Sequence, residues 1–233
     1  MALSPRMIVV IILISFTFSL VGAYDYLSLA LEWQPGYCRS KDITIPCQKI
    51  VDDNFTIHGL WPSSQSGPHP KDCPTDLRGR SLDEKTIKSL IPGLKISWPS
   101  STGADEKLWK AQWDKHGRCY YDGNTHRQYK YFQTAYNFWN GFNLFDTFKA
   151  EGIVPVKGGK LYTTEAAIKA FRKHYSQDRV TYIPEFKCST PKPSSPSELY
   201  EIIMCLDHDG NEPINCTTTS PSCGKQFLWN SEK

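Results

Sequence analysis

The 233-residue sequence has no C-x-x-C pair, no internal repeat and no low-complexity block. Beyond residue 23 it has no apolar run of membrane-spanning length. The missing C-x-x-C pairs, with no histidine at ligand spacing from any cysteine, argue against a zinc site. The missing repeats remove solenoid architectures, and the missing apolar runs leave only the N-terminus as a membrane candidate. There is also little charge of either sign in excess: 27 Lys and Arg stand against 24 Asp and Glu, and the pI is about 8.3. That slight basicity suits an anionic partner without requiring one. The charged fraction of 22% and mean hydropathy of −0.45 are those of a folded soluble chain, not a disordered one. Aromatic residues reach 13%, enough to suggest roles beyond core filling.

Met1–Arg6 carries one positive charge, Met7–Leu20 is almost continuously apolar, and Val21-Gly22-Ala23 supplies small residues. This is the anatomy of a secretory signal peptide, predicting a mature chain from Tyr24 that is secreted and free of the membrane. An uncleaved signal anchor is the alternative, and its apolar run is short for spanning. All eight cysteines (Cys38, Cys47, Cys73, Cys119, Cys188, Cys205, Cys216 and Cys223) fall after residue 23. An even number behind a signal peptide reads as four disulfides formed in an oxidising compartment, although spacing leaves their pairing open. Sequons at Asn54 and Asn215 mark glycosylation candidates, the second weakened by Cys216 in its middle position.

Residues 24–233 read as one domain. Strand signals lie at Tyr26–Trp33, Asn54–His58, Val180–Phe186, Leu199–Leu206 and Gln226–Trp229. Ser81–Glu84 is a capping box predicting a short helix. Further helices are expected over Glu106–His116, Tyr129–Trp139, Asn143–Ala150 and Thr164–Tyr175. The stretch Ser189–Ser197 reads as a surface loop. Strands at both ends with helices between them predict an α+β fold with a mainly antiparallel sheet flanked by helices.

Two segments carry chemistry. In Phe55-Thr56-Ile57-His58-Gly59-Leu60-Trp61-Pro62, a strand puts Thr56 and His58 on one side, with His58 at its end before Gly59 turns the chain. In Trp109–Cys119, a helix puts Gln112, Lys115 and His116 on one face. The plain alternatives are a structural histidine and a solvated helix end whose dipole favours cations. Together the two segments hold the parts for cleaving RNA. One imidazole can take the ribose 2′ proton and the other can protonate the departing 5′ oxygen. Lys115 can steady the phosphoryl charge, and Trp61 can stack on a base of single-stranded RNA. No metal or cofactor is needed. His69, His126, His174 and His208 have no motif context and read as surface or structural.

These segments resemble the two active-site motifs of the ribonuclease T2 family. The first stands whole at residues 55–62, and the second matches at Trp109, Trp113, Lys115, His116, Gly117 and Cys119. The likeness runs on through Leu31-Glu32-Trp33 with Cys38, Tyr200–Cys205, Cys216 and Cys223-Gly224. It implies His116 as general base, His58 as general acid and Lys115 as phosphate stabiliser. It also implies the pairings Cys38–Cys47, Cys73–Cys119, Cys188–Cys223 and Cys205–Cys216. Departures are Gln112, where most members have Glu, and Ala111, where many have His. Gln112 can hydrogen-bond a phosphate oxygen but cannot carry charge, so a slower enzyme is expected. Glu32 replaces a Gln that some plant members place near the downstream base, so base preference does not carry over. The sequence is most like the plant branch. Its basic pI, the Asn54 sequon and the looser second motif lean towards the pistil self-incompatibility ribonucleases, with an F-box-type partner if that role holds. A housekeeping, defence or phosphate-scavenging ribonuclease is one alternative, and a non-catalytic secreted binding or storage protein is another. The chain is expected to be a monomer.

Overall fold

In Tyr26–Glu32, leucines alternate with Tyr26, Ser28, Ala30 and Glu32, and this segment forms strand β1, buried on both faces. The structure, a computed structural model, describes residues 24–40, 43–74, 81–120, 127–175, 182–190, 196–216 and 222–232. The expected signal peptide, His126, Thr217 of the second sequon and most of the loop at 189–197 lie outside them.

Around β1 the strands are β2 (Thr56–Ser63), β3 (Val156–Lys157), β4 (Lys160–Thr163), β5 (Glu185–Ser189), β6 (Glu198–Leu206), β7 (Pro213–Ile214) and β8 (Gln226–Ser231). The sheet runs β2-β1-β6-β8-β3, with β4 on β8 and both β5 and β7 on β6. Most pairs are antiparallel; β3–β8 and the single pair Glu198–Leu228 of β6–β8 are parallel. The helices are α1 (Gln34–Arg39), α2 (Ile91–Ser97), α3 (Asp105–Lys115), α4 (Arg127–Gly141), α5 (Leu144–Ala150) and α6 (Thr164–Tyr175). The α+β architecture is the one expected.

Leu27, Leu29, Leu31, Ile202, Met204 and Leu206 face a core shared with Trp109 and Trp113 of α3, Tyr131 and Phe132 of α4 and Phe171 of α6. The alternate residues face the other way, where Tyr26, Ala30, Ile203 and Cys205 form a smaller cluster with Trp61. Trp33, Trp98, Trp109, Trp113 and Trp229 are fully buried, so most of the tryptophan excess is core after all.

Several elements differ from expectation for local reasons. β2 runs on to Ser63 instead of stopping at His58, because residues 59–63 continue the ladder to β1. β5 begins at Glu185, just after Pro184, which has no N–H to give a ladder. At 84–90 the chain makes turns with i→i−3 bonds, and Asp83 rather than Ser81 caps them by accepting from Lys85 N–H at 3.0 Å. The regular helix starts only at Ile91.

β2 pairs only with β1 among the described strands, so it is an edge. Two aromatic donors meet its carbonyls, Trp98 Nε1–H to His58 O (3.1 Å) and Tyr131 O–H to Leu60 O (2.8 Å), and Trp139 Nε1–H meets Phe55 O (2.7 Å) just before it. Four disulfides close Cys38–Cys47, Cys73–Cys119, Cys188–Cys223 and Cys205–Cys216.

Candidate active site

His58 occupies a β-bulge. Ala30 pairs with Gly59 and Leu31 with Ile57, so His58 is the extra residue opposite β1. A bulge re-aims a side chain out of the pleat. Here it brings the imidazole onto the sheet face opposite the helices, with 29% of the side chain exposed. Gly59 is needed for close approach rather than for a turn: a Cβ there would lie 2.1 Å from Trp61 Nε1 and 2.4 Å from Gln112 Oε1. The variant Gly59→Ala is therefore expected to separate Trp61 from Gln112 and cost about 1–3 kcal/mol, the usual penalty for overpacking a filled site. Denaturant unfolding followed by tryptophan fluorescence measures it, and an unchanged midpoint would contradict the tight fit.

The second group arrives on α3. Trp109 and Trp113 bury the helix against the core, and Trp109 Nε1–H donates to Trp98 O at 2.8 Å. Since the Trp98 indole donates to His58 O, two indoles tie α3 to the bulge. Lys115, exposed, ends α3, and His116 caps it. Gly117 then passes Trp113 so closely that a Cβ would meet the ring at 2.3 Å. Asp72 N–H donates to Lys115 O at 2.7 Å, which holds the 68–72 loop against the helix end.

Trp61 lies between the two histidines, its ring centroid 5.2 Å from that of His58 and 5.5 Å from that of His116. Its indole donates to Gln112 Oε1 at 3.0 Å. Gln112 is thus buried with its carbonyl committed to Trp61, leaving its amide N–H₂ as the group able to meet a phosphate oxygen. Lys115 and His116 line a cleft of about 440 Å³ with Trp61, Ser28, Ser63 and Lys71. His69, read as surface or structural, also lines this cleft, and its Nδ1 accepts from Ser64 N–H at 3.0 Å.

The two imidazoles have opposite surroundings. Burial works to lower the pKa of His58. The Glu201 hydrogen bond and the charges of Glu201 and Glu32 outweigh burial and the opposing Lys115, so His58 is pushed up to about 9. Burial, then Lys115, His58 and Lys71, bring His116 down to about 4 against the pull of Asp72. Near neutrality His58 therefore holds its proton and His116 lacks one. The His116 Nδ1 is buried without a partner among the described residues, which leaves Nε2 for chemistry.

Glu32, read from the sequence as a contact to a base, is buried behind His58, with Oε2 3.9 Å from His58 Nδ1. Burial first, then the nearby Glu201 charge, raise its carboxyl to about 7 against the opposing effect of His58. Glu201 accepts from His58 Nδ1 at 2.7 Å, and sequence reading gave it no role. Its signal was a glutamate inside the largely apolar run Leu199–Leu206, flanked by Tyr200 and Ile202. Of the other described histidines, His174 lies near Glu151 and His208 stacks on Tyr24. Among the described residues no helix is long and apolar enough to cross a membrane.

Comparison with known proteins matches residues 24–216 to the Ribonuclease T2 family. Ribonuclease 1 of Arabidopsis thaliana is 30% identical over 197 residues, covering 83% of this chain and 80% of its own length. Ribonuclease S-7 of Pyrus pyrifolia is 32% identical over 230 residues, covering 95% and 92%. Among solved structures, ribonuclease MC1 from bitter gourd seeds superposes with a TM-score of 0.73 at 26% identity, covering 88% of this chain and all of that one.

Proposed function

The chain belongs to the ribonuclease T2 family and is an endoribonuclease, and from that premise we propose that it cleaves single-stranded RNA by metal-independent transphosphorylation. Neutral His116 takes the proton of the ribose 2′-OH through Nε2. The 2′ oxygen attacks phosphorus, and the 5′ oxygen leaves with the proton of the His58 imidazolium, giving a 2′,3′-cyclic phosphate. In the second step the roles reverse: His58 draws a proton from water, and His116 returns one to the 2′ oxygen as the ring opens. Lys115 offsets the charge that builds on the phosphoryl oxygens, with the Gln112 amide as a neutral helper. Trp61, edge-on to His58 and tilted to His116, offers its remaining face to a base.

The observation that carries this reading is the split between the histidines. Environments that drive two titratable groups apart assign acid and base. Two reagents test it. EDTA is expected to leave the rate unchanged, and an oligonucleotide with 2′-deoxyriboses is expected to resist cleavage because it lacks the nucleophile. Loss of activity in EDTA, restored by a divalent cation, would reject the mechanism.

The chain is further proposed to be secreted after cleavage before Tyr24, where the family match begins, and to carry a glycan on partly exposed Asn54. At the second sequon, Asn215 Oδ1 accepts from Ile183 N–H at 2.9 Å, and Cys216 is disulfide-bonded. A role in pistil self-incompatibility is favoured by the fuller coverage of Ribonuclease S-7 and by the mildly basic pI. An F-box-type protein would then be the partner of a monomeric ribonuclease. Pistil-restricted expression with allelic diversity is the expected finding, and induction by phosphate starvation in root or leaf would contradict it.

A further inference from the structure

We propose that Glu201 is a positioning residue that keeps His58 oriented and charged as the proton donor, with Glu32 as its reserve. The inference rests on His58 being the general acid. Glu201 Oε2 lies 2.7 Å from His58 Nδ1, so the hydrogen on Nδ1 is committed to the carboxylate. The other ring nitrogen, Nε2, is left to face the leaving oxygen, and its proton is the one delivered. A ring without that partner could turn or change tautomer, and either change would withdraw the proton from the substrate.

The sheet makes the arrangement specific. Glu32 of β1 and Glu201 of β6 are direct cross-strand partners. Both are buried, at 7% and 4% exposure. Two like charges opposite each other on one face destabilise a sheet, and an unpaired buried carboxylate costs more. The imidazolium of His58 is the cation that both approach, Glu32 at 3.9 Å. Among the described residues, the groups bearing on the ring are Glu201 from β6, Glu32 from β1, Lys115 from α3, His116 at the end of α3, the Tyr37 ring 6.0 Å away on α1, and Trp61 on its own strand. Burial works against protonation most, and Lys115 adds to it. Burial lifts the Glu32 carboxyl to about 7, so near pH 7 it is about half ionised and the cluster carries less than two full negative charges facing one cation.

The test uses the full disulfide-bonded chain. For wild type, Glu201→Gln and Glu201→Asp, kcat/KM on a dinucleoside monophosphate is measured across pH, and the His58 ring resonance is titrated by NMR. Glu201→Gln is expected to lower the His58 titration by about one pH unit or more and to carry the alkaline limb of kcat/KM down with it. That is about a tenfold loss at alkaline pH, with little loss in acid. Glu201→Asp, which keeps the charge, is expected to recover part of the shift. A profile that does not move, or a loss equal at every pH, overturns the proposal. If Glu201→Gln does not fold, the ring nitrogens of the wild-type protein decide: above its titration the neutral His58 must be the Nδ1–H tautomer, and an Nε2–H tautomer overturns the proposal. His58→Ala separates this from the general mechanism. Full activity there removes His58 as acid, whereas an inactive His58→Ala beside an unaltered Glu201→Gln removes only the role of Glu201.

Discussion

Alanine at His116 is expected to lower kcat/KM on RNA by about 10²–10⁴-fold, and alanine at His58 by a similar factor, the range typical of a lost acid or base. The substrate tells them apart. With the natural 5′ nucleoside as leaving group, both variants fail, since the oxygen must be protonated and the 2′-OH must be deprotonated. With an aryl phosphate ester, the leaving group departs without a proton. His58→Ala should then recover most of its loss, and His116→Ala should recover none. Steady-state kinetics on the two substrates measures this. Equal recovery by both variants, or by neither, would contradict the assignment that follows from the surroundings of the two rings. The double variant should be little worse than either single one, because both groups serve the same transition state.

Replacing Cys73 and Cys119 by serine is expected to remove about 4 kcal/mol of stability, from the chain-entropy cost of opening their loop. The bridge spans 46 positions, against 9 for Cys38–Cys47. The same relation gives about 2.5 kcal/mol for the shorter bridge, which serves as the control. The long bridge has a second effect that the short one lacks. Cys119 ends the turn just after His116, and Cys73 anchors the loop carrying His69 and Lys71 on the cleft wall. The 73–119 variant should therefore lose kcat/KM even under conditions where it is fully folded, whereas the 38–47 variant keeps it. Denaturant midpoints and kinetics on both variants check the contrast.

How far the sequence revealed this molecule depended on whether the deciding contact was local. Helix α6 was legible to its ends, because Ile168, Phe171 and Tyr175 repeat on one face. The candidate site residues were legible as two short segments, His58 in one and Gln112, Lys115 and His116 in the other. The bulge at His58 was not, since a bulge is decided by register against β1 and leaves no mark within Phe55–Pro62. Glu32 and Glu201 are 169 positions apart and were not connectable until the β1–β6 register put them opposite each other. Disulfide connectivity was not in the spacing either; it came from resemblance. Trp98 carried no signal, although its indole and carbonyl are the middle link between α3 and the bulge.

The outer rim of β2 has one further consequence. A bare strand margin recruits foreign strands and so seeds aggregates. Here three carbonyls along β2 and just before it, those of Phe55, His58 and Leu60, are already occupied by Trp139, Trp98 and Tyr131. Colloidal safety and catalytic placement therefore draw on the same three rings. A lineage relaxing its need for catalysis would still be held to these aromatics by the hazard of self-association.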